Sequence, residues 1–320
     1  MTRLRLVERV VVTVAVLALG AHLGVVPLES ATASVGSEPL RVSVTLPPLG
    51  WLVTEIAGDR VKVQTLVGPG DSPATFSPSD VQVTELSRSM IYFRVGVPAE
   101  SSPWFRAIER MGRPEVVDLR QGVALREIEG HDHRHGAGDE HEHDHAHGED
   151  GGSKSPDPHI WLSPIRLRIM AATIARTLSE ADPASSDFYG ANLDRLRSEL
   201  TALEEEIRAR LVGCESRVFF VFHPAWGYFA DDFGLEQVPI ELSGKEPSES
   251  ELTALAREAR EHAARVVFVQ PQFRGAGAEV VAAAVGATVE QLDPLAFDVA
   301  ENLRHASERM RAAICGGVSE

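Results

Sequence analysis

The chain has 320 residues, of which 43% are hydrophobic and 24% are charged. It is therefore long enough for two compact lobes and is neither fibrous nor wholly disordered. The formal net charge of −16 at pH 7 argues against binding to nucleic acid or to anionic membranes and favours attraction of cations, although solubility alone is an alternative explanation.

The first 33 residues have the pattern of a secretory signal peptide. Three arginines precede an apolar stretch from Val10 to Leu28, and a small-residue cleavage site follows at residues 31–33. An uncleaved anchor helix is the alternative, because this apolar stretch is long for a signal peptide. No cysteine stands at the junction to carry a lipid anchor. We therefore predict a cleaved signal peptide at residues 1–33 and a periplasmic product.

From Leu40 onward, short β-branched runs alternate with helical stretches. This alternation predicts a parallel sheet covered by helices, and we place a first α/β lobe at residues 38–160. The predicted strands are RVSVTL, VKVQTLV, MIYFRVGV and PEVVDL, and the predicted helices are PPLGWLVTEIAG, SPSDVQVTELS and SPWFRAIERMG.

Residues 130–156 break this pattern, because they have no apolar periodicity and cannot bury a core. We predict a loop, and expect it to be mobile. Its imidazoles, interleaved with carboxylates, favour the capture of a transition-metal cation, with a purely solvated acidic loop as the alternative. Seven of the chain's twelve histidines lie in residues 131–147: His131, His133, His135, His141, His143, His145 and His147.

Residues 163–212 predict a long amphipathic helix that joins two lobes, because Leu193, Leu196, Leu200, Leu203 and Ile207 recur at three- and four-residue steps. A second strand–helix series follows and predicts a second α/β lobe at residues 213–316. The fold class is thus α/β, with two lobes that are each a parallel sheet flanked by helices. Ligands of such proteins bind in the cleft, at the carboxyl ends of strands.

Three side chains stand where a ligand of the cleft is expected. His159 lies in DPHIWLSP just before a long helix, and His223 and Asp293 each follow an apolar strand, in VFHPAWGYFADDFGL and QLDPL. Each has a structural alternative, since a single histidine at a strand end commonly makes only hydrogen bonds and Asp-Pro commonly starts a turn.

Together, DPHIWLSP, HPAWGYFADDFGL, ELSGKEPS, VFVQPQF and LDPL resemble the substrate-binding proteins of zinc/manganese ABC transporters, from Leu40 to about Cys315. The resemblance implies two α/β lobes joined by one long helix. It also implies a metal held between the lobes by three histidines, or two histidines and a glutamate, plus an aspartate. An acidic, histidine-rich loop just before DPH is similar to that of the zinc-binding members.

By this resemblance, His159, His223 and Asp293 match the second, third and fourth metal ligands of the family. The first ligand does not carry over. Family members have P-H-x-[FY]-x-P-[ST] in the first lobe, whereas SPATFSPSDV places Ala74 at the position of the histidine. Alanine has no donor atom, so the family pattern alone does not give a four-ligand site.

The predicted metal is zinc. Histidine stands at position 223, where manganese-selective relatives tend to have a carboxylate, and the histidine-rich loop also suits zinc. Manganese, copper and nickel are the alternatives, and copper and nickel also accept imidazole. The resemblance implies delivery of the metal to an ABC-type permease in the inner membrane, and we expect a monomer.

Two other functions remain open at this point. A periplasmic zinc buffer or chaperone would hold zinc without handing it to a permease, and the alanine at position 74 favours that reading. A zinc hydrolase would need a general base beside a metal-bound water. Glu241 and Glu246 are possible bases, but the chain has no H-E-x-x-H helix, and we predict that the protein is not an enzyme.

The chain has two cysteines, Cys214 and Cys315, and therefore no C-x-x-C zinc or redox motif. Export would permit a disulfide between them. Sequence does not give the distance between their Cα atoms, so the disulfide is a hypothesis and two separate buried thiols are the alternative.

Overall fold

The computed structural model describes residues 39–128, 156–214, 216–241, 245–273 and 276–315. The signal peptide predicted at residues 1–33 and the histidine-rich loop predicted at residues 131–147 lie outside these ranges. Within the described ranges, no helix combines the length and the apolar character needed to span a membrane.

The first half of the described chain is a four-stranded sheet with helices between its strands. All neighbouring strands are parallel, in the order β2-β1-β3-β4. The strands are β1 (Leu40–Val44), β2 (Val61–Thr65), β3 (Ile91–Arg94) and β4 (Glu115–Asp118), and the helices are α1 (Pro47–Ala57), α2 (Asp80–Leu86) and α3 (Pro103–Arg110).

The linking region contains two helices where the sequence predicted one. Helix α4 spans Pro164–Ala181 and helix α5 spans Ser186–Leu211, with a short 3-10 turn over Pro183–Ser185 between them. Proline cannot donate the hydrogen bond that continues a helix, and it disfavours helical geometry at the residue before it. The leucine pattern that predicted the long helix lies entirely within α5, which packs against both α1 and the last helix of the chain.

The second half repeats the architecture of the first. Its sheet is again parallel, in the order β6-β5-β7-β8. The strands are β5 (Val218–Val221), β6 (Glu236–Pro239), β7 (Val266–Val269) and β8 (Thr288–Gln291), and the helices are α6 (Gly227–Phe233), α7 (Glu249–Glu261), α8 (Ala276–Val285) and α9 (Val299–Ile314). The predicted α/β class with two parallel sheets and a long central helix is confirmed. The lobe boundaries drawn from the sequence stay predictions.

One buried apolar cluster contains residues of both sheets and of α5. Trp161, which is 1% exposed, belongs to it, and its indole Nε1 donates a hydrogen bond of 2.7 Å to the carbonyl of Pro294. The segment that carries His159 is thereby attached to the segment that carries Asp293. A polar group buried in a core is tolerated when it is hydrogen-bonded in this way.

Cys214 and Cys315 form a disulfide, with their Cα atoms 4.2 Å apart. The cysteine pair expected from the sequence is therefore present. It connects the residues after α5 to the residue that follows α9, so it links the start of the second half to its end.

Candidate metal centre

Four of the residues around the candidate site lie in loops that follow the carboxyl ends of parallel strands. Ala74 follows β2, His223 follows β5, Glu241 follows β6 and Asp293 follows β8. Since the carboxyl ends of parallel strands share one edge of a sheet, the loops of each half that carry these residues lie along that edge. His159 reaches the same place from the 3-10 turn before α4.

His159 and His223 meet directly. Their Nε2 atoms are 3.3 Å apart, and their ring centroids are 5.1 Å apart with the planes at 74°. His159 is 9% exposed, and His223 is partly buried. Two imidazoles whose Nε2 atoms lie this close can hold a cation between them if both nitrogens present lone pairs.

A buried carboxylate lies behind each imidazole. Nδ1 of His159 donates to Oδ1 of Asp157 at 2.7 Å, and Nδ1 of His223 donates to Oε1 of Glu241 at 2.5 Å. Asp157 is fully buried and Glu241 nearly so. A carboxylate that accepts the Nδ1 proton fixes the tautomer and leaves the Nε2 lone pair available, which is how many protein zinc sites orient their histidines.

Burial lowers the pKa of His159 below its usual value, and the nearby His223 adds to the effect. Asp157 and Glu241 oppose this shift, but desolvation of the charged imidazolium is the largest contribution. The neutral ring is the form that binds a metal ion. The environment of His159 therefore favours the form that can act as a ligand.

Further contacts fix the position of both rings. The backbone N–H of His159 donates to Asp157 at 3.0 Å, and the ring lies 5.2 Å from that of Trp161. The His223 ring stacks on Phe273 at 5.3 Å, and the His223 carbonyl accepts a hydrogen bond of 2.7 Å from the side chain of Gln270. A ligand pair held this firmly needs little reorganisation to accept an ion.

Asp293 makes a different set of contacts. Its Oδ1 accepts from Nε2 of Gln272 at 3.0 Å and from the backbone N–H of Leu295 at 2.9 Å. In the part of the chain that the structure describes, no three His, Cys, Asp or Glu side chains are grouped closely enough to hold a metal ion. The structure thus brings two of the three predicted ligands together, and the role of Asp293 stays a prediction.

A cavity of about 470 Å³ opens beside the two histidines. Ala74 lies on its wall, as do Arg120, Gln272 and Phe273. The alanine that replaces the family's first histidine therefore contributes to the same cavity as His159 and His223. The seven histidines of residues 131–147 lie outside the described ranges.

Two functional positions were missed or misassigned in the sequence analysis. Asp157 was not singled out, although the DPH phrase places it two residues before His159, a spacing at which the aspartate can bond back to the ring. Glu241 was considered as a hydrolase base, but its carboxylate is hydrogen-bonded to His223 instead. The sequence carried no signal for this second pair, because its members are 18 residues apart.

Comparison with known proteins shows the same family over most of the chain. Residues 42–312 match the family model ZnuA, described as the periplasmic component A of a zinc-uptake complex. The chain is 32% identical over 270 residues to the high-affinity zinc uptake system protein ZnuA of Paracoccus denitrificans, covering 79% of this chain and 81% of that protein. It is 25% identical over 261 residues to the zinc-binding protein AdcA of Streptococcus pyogenes, and it spans only 50% of that longer protein.

A crystal structure of ZnuA superposes with a TM-score of 0.77 at 36% identity and covers 87% of this chain and 100% of that one. A zinc-bound ZnuA that lacks residues 138–173 of its own chain gives the same TM-score at 34% identity, covering 88% of this chain and 100% of that one. These proteins are substrate-binding transport components and not enzymes. The chain belongs to the ZnuA family of periplasmic zinc-uptake components.

Proposed function

We propose that this protein binds one zinc ion in the cleft through His159, His223 and Asp293 and delivers it to an ABC-type metal permease in the inner membrane. The observation that carries the proposal is the histidine pair. Two nitrogens that each lie about 2.0–2.1 Å from a tetrahedral zinc ion are about 3.3–3.4 Å apart. The Nε2 atoms of His159 and His223 are 3.3 Å apart.

The donor set favours zinc over manganese. Neutral imidazole suits zinc, copper and nickel, whereas manganese prefers carboxylate and other oxygen ligands. The two buried carboxylates are already engaged with Nδ1 of the histidines. The relatives named above are zinc-uptake or zinc-binding proteins by name.

Asp293 is the proposed third ligand. Its Oδ1 accepts two hydrogen bonds, which orient the carboxyl group, and its other oxygen, Oδ2, is the atom proposed to face the metal. A small movement of the loop after β8 toward the histidine pair would complete three protein ligands. Such closure around a ligand is common in two-lobed proteins.

The proposal also covers export and metal capture. A signal peptide at residues 1–33 would deliver a monomer to the periplasm, and the histidines of residues 131–147 would collect zinc before it enters the cleft. One relative was crystallised with zinc after deletion of residues 138–173 of its own chain. By analogy, the cleft of this protein would bind zinc without its histidine-rich segment.

Competition titration with a chromophoric zinc chelator tests the cleft site. We expect His159→Ala and His223→Ala each to weaken tight zinc binding by at least a hundredfold, because each removes a ligand that the remaining residues cannot replace. His305→Ala is the matched control, since His305 is exposed on α9, away from the cavity. Equal affinity in all three variants would exclude this site.

A periplasmic zinc buffer that does not serve a permease is a second candidate, favoured by Ala74 on the cavity wall. The two functions predict different growth at low zinc for cells that lack the gene. Deletion of the gene should impair growth in zinc-depleted medium if the protein feeds a permease. Unimpaired growth, with increased sensitivity to excess zinc, would favour the buffer.

A further inference from the structure

The cavity is much larger than a metal ion and its water ligands require. Its volume of about 470 Å³ falls within the range of roughly 300–1,000 Å³ typical of pockets for small organic molecules. Apolar side chains such as Trp161, Phe273 and Leu295 form much of its wall. A space of this size and character suits an organic ligand in addition to the ion.

The ionisable side chains on the described cavity wall include one guanidinium that could bind an anion. Among the described residues that line the cavity, the ionisable side chains are Arg120, His159 and His223, and none is a carboxylic acid. The carboxylates of Asp157 and Glu241 lie behind the histidines, bonded to Nδ1. A zinc ion on the histidine pair would therefore share the cavity with the guanidinium of Arg120, and the proposed ligand Asp293 is not among the residues of the described wall.

Arg120 is held in a fixed orientation. Its Nε donates to Oδ1 of Asp118 at 2.9 Å and its Nη2 to Oδ2 at 2.5 Å. These bonds also raise the pKa of Arg120. The guanidinium packs over Gly96, where a Cβ atom would collide with it and where φ is +86°. Glycine at this position thus makes room for the arginine.

One edge of this guanidinium remains available. Nη1 of Arg120 makes no hydrogen bond to any residue in the described ranges, while Nε and Nη2 are bonded to Asp118. Guanidinium groups bind carboxylates through directed, charge-assisted hydrogen bonds. Arg120 can therefore bind an anion in the cavity without giving up its partner.

Ala74 also lines the cavity, and its methyl group cannot coordinate a metal. With two histidines and Asp293 as protein ligands, the fourth position on zinc is open. Carboxylate oxygen is a good zinc ligand, and a molecule with two carboxylates can reach the metal with one and Arg120 with the other.

We propose that the cleft binds zinc together with a small dicarboxylate, which coordinates the metal at the position left open by Ala74 and pairs with Arg120 at its other end. This inference rests on the proposed zinc site. It assigns the cargo as a zinc–dicarboxylate complex. The paired arginine distinguishes it from a site completed by water.

Equilibrium dialysis with radiolabelled malonate, succinate and glutarate tests the inference, with acetate as the monocarboxylate control. We expect at least one of the dicarboxylates to bind zinc-loaded protein at one molecule per chain and at least tenfold more tightly than acetate. We expect no binding to metal-free protein, because the metal provides half of the site. Zinc titrations in buffers with and without the same dicarboxylate should show tighter zinc binding in its presence, as linkage requires.

Three variants separate the contributions of the two ends of the ligand. Arg120→Met should remove most of the preference for dicarboxylate over acetate, provided that thermal unfolding shows a folded protein. Ala74→His changes an exposed residue and should tighten zinc binding while lowering dicarboxylate affinity at least tenfold, because the imidazole takes the open position. Ala74→Gly, which leaves that position open, should keep dicarboxylate binding.

Several results would overturn the inference. Zinc binding without binding of any of the three dicarboxylates would reject it and leave the proposed function standing. Equal dicarboxylate binding to metal-free protein, or in Ala74→His, would show that the metal is not part of the anion site. Failure to bind zinc in every buffer would reject the proposed function as well.

Discussion

Two buried carboxylates determine which nitrogen of each cleft histidine faces the cavity. Asp157 accepts a hydrogen bond from Nδ1 of His159, and Glu241 accepts one from Nδ1 of His223. A buried carboxylate next to an imidazole also makes the other ring nitrogen a better electron donor. These two residues belong to the proposed metal site even though neither would touch the metal.

Glu241→Gln should weaken zinc binding by about 10–100-fold, the usual effect of losing an outer carboxylate. The amide can still accept the Nδ1 proton but provides no negative charge, so the ring becomes a weaker ligand. Competition titration with a chelator measures the change. Glu246→Gln is the control, because Glu246 is exposed in the same segment. Equal losses in the two variants would show that the effect is not due to the contact with His223.

The hydroxyl of Tyr228 joins two segments next to the site. It donates to the carbonyl of Asp157 at 2.9 Å and accepts from the backbone N–H of Arg126 at 3.1 Å. The side chain is fully buried, and burial raises the pKa of Tyr228. Its proton is therefore present at neutral pH to make the first of these bonds.

Tyr228→Phe should lower the free energy of unfolding by about 1–3 kcal/mol, because it leaves a buried carbonyl and a backbone N–H without their partner. Urea denaturation followed by circular dichroism measures the loss. Tyr189→Phe is a useful comparison, since that hydroxyl donates to the carboxylate of Asp182 at 3.0 Å and makes neither of the backbone bonds that Tyr228 makes. A Tyr228 variant as stable as the wild type would mean that water replaces both bonds.

At the scale of elements, the site depends on the points where strands end. The apolar runs of β5 and β7 are typical of parallel strands covered on both faces, whereas β8 is mostly exposed and was predicted from the alternation of strands and helices. All four positions of β7 are buried. His223 follows β5, Glu241 follows β6 and Asp293 follows β8. The sequence placed His223 and Asp293 after strands as candidate ligands but did not place Glu241 beside His223.

The break between α4 and α5 was harder to predict from sequence. The leucines at three- and four-residue steps lie after the break. Because α4 is also rich in apolar residues, hydrophobicity alone did not mark the boundary at Asp182 and Pro183. The pairing of His223 with Glu241 was also beyond local pattern, because it depends on β5 and β6 being neighbours in the sheet. Contacts between residues distant in sequence require the topology to be known first.

The disulfide of Cys214 and Cys315 should stabilise the second half of the molecule. It closes a loop with a sequence separation of 101, for which chain entropy gives about 4–5 kcal/mol, with smaller values often measured. We expect the double variant Cys214→Ser/Cys315→Ser to lower the free energy of unfolding in urea by a few kcal/mol. Zinc affinity should remain, because neither cysteine lines the cavity. Two free thiols in unreduced, denatured wild-type protein would contradict the pairing.

At the scale of the whole molecule, the continuous core limits how the two halves can move. The apolar cluster includes residues of both sheets and of α5, and Trp161 binds the carbonyl of Pro294. Packed cores resist continuous deformation, so a movement on metal binding should be small and confined to loops.

The cleft and the histidine-rich residues 131–147 should contribute differently to zinc binding. Deleting these residues should leave one tight zinc site, because His159 and His223 are already oriented by Asp157 and Glu241. Side chains that must be ordered to bind an ion lose conformational entropy, so the seven histidines should bind zinc more weakly. The deletion should lower the total number of zinc ions bound and the rate at which the cleft fills at low zinc.

Calorimetric titration of the deletion variant measures the stoichiometry, and stopped-flow mixing with a fluorescent zinc chelator measures the loading rate. The matched control keeps the length and replaces the seven histidines with asparagine, which preserves the net charge at neutral pH but removes the imidazoles. If the asparagine variant loads as slowly as the deletion, the imidazoles are responsible and not the acidic residues. Loss of all tight binding in both variants would show that the principal site is the histidine-rich segment and that the cleft pair does not hold zinc by itself.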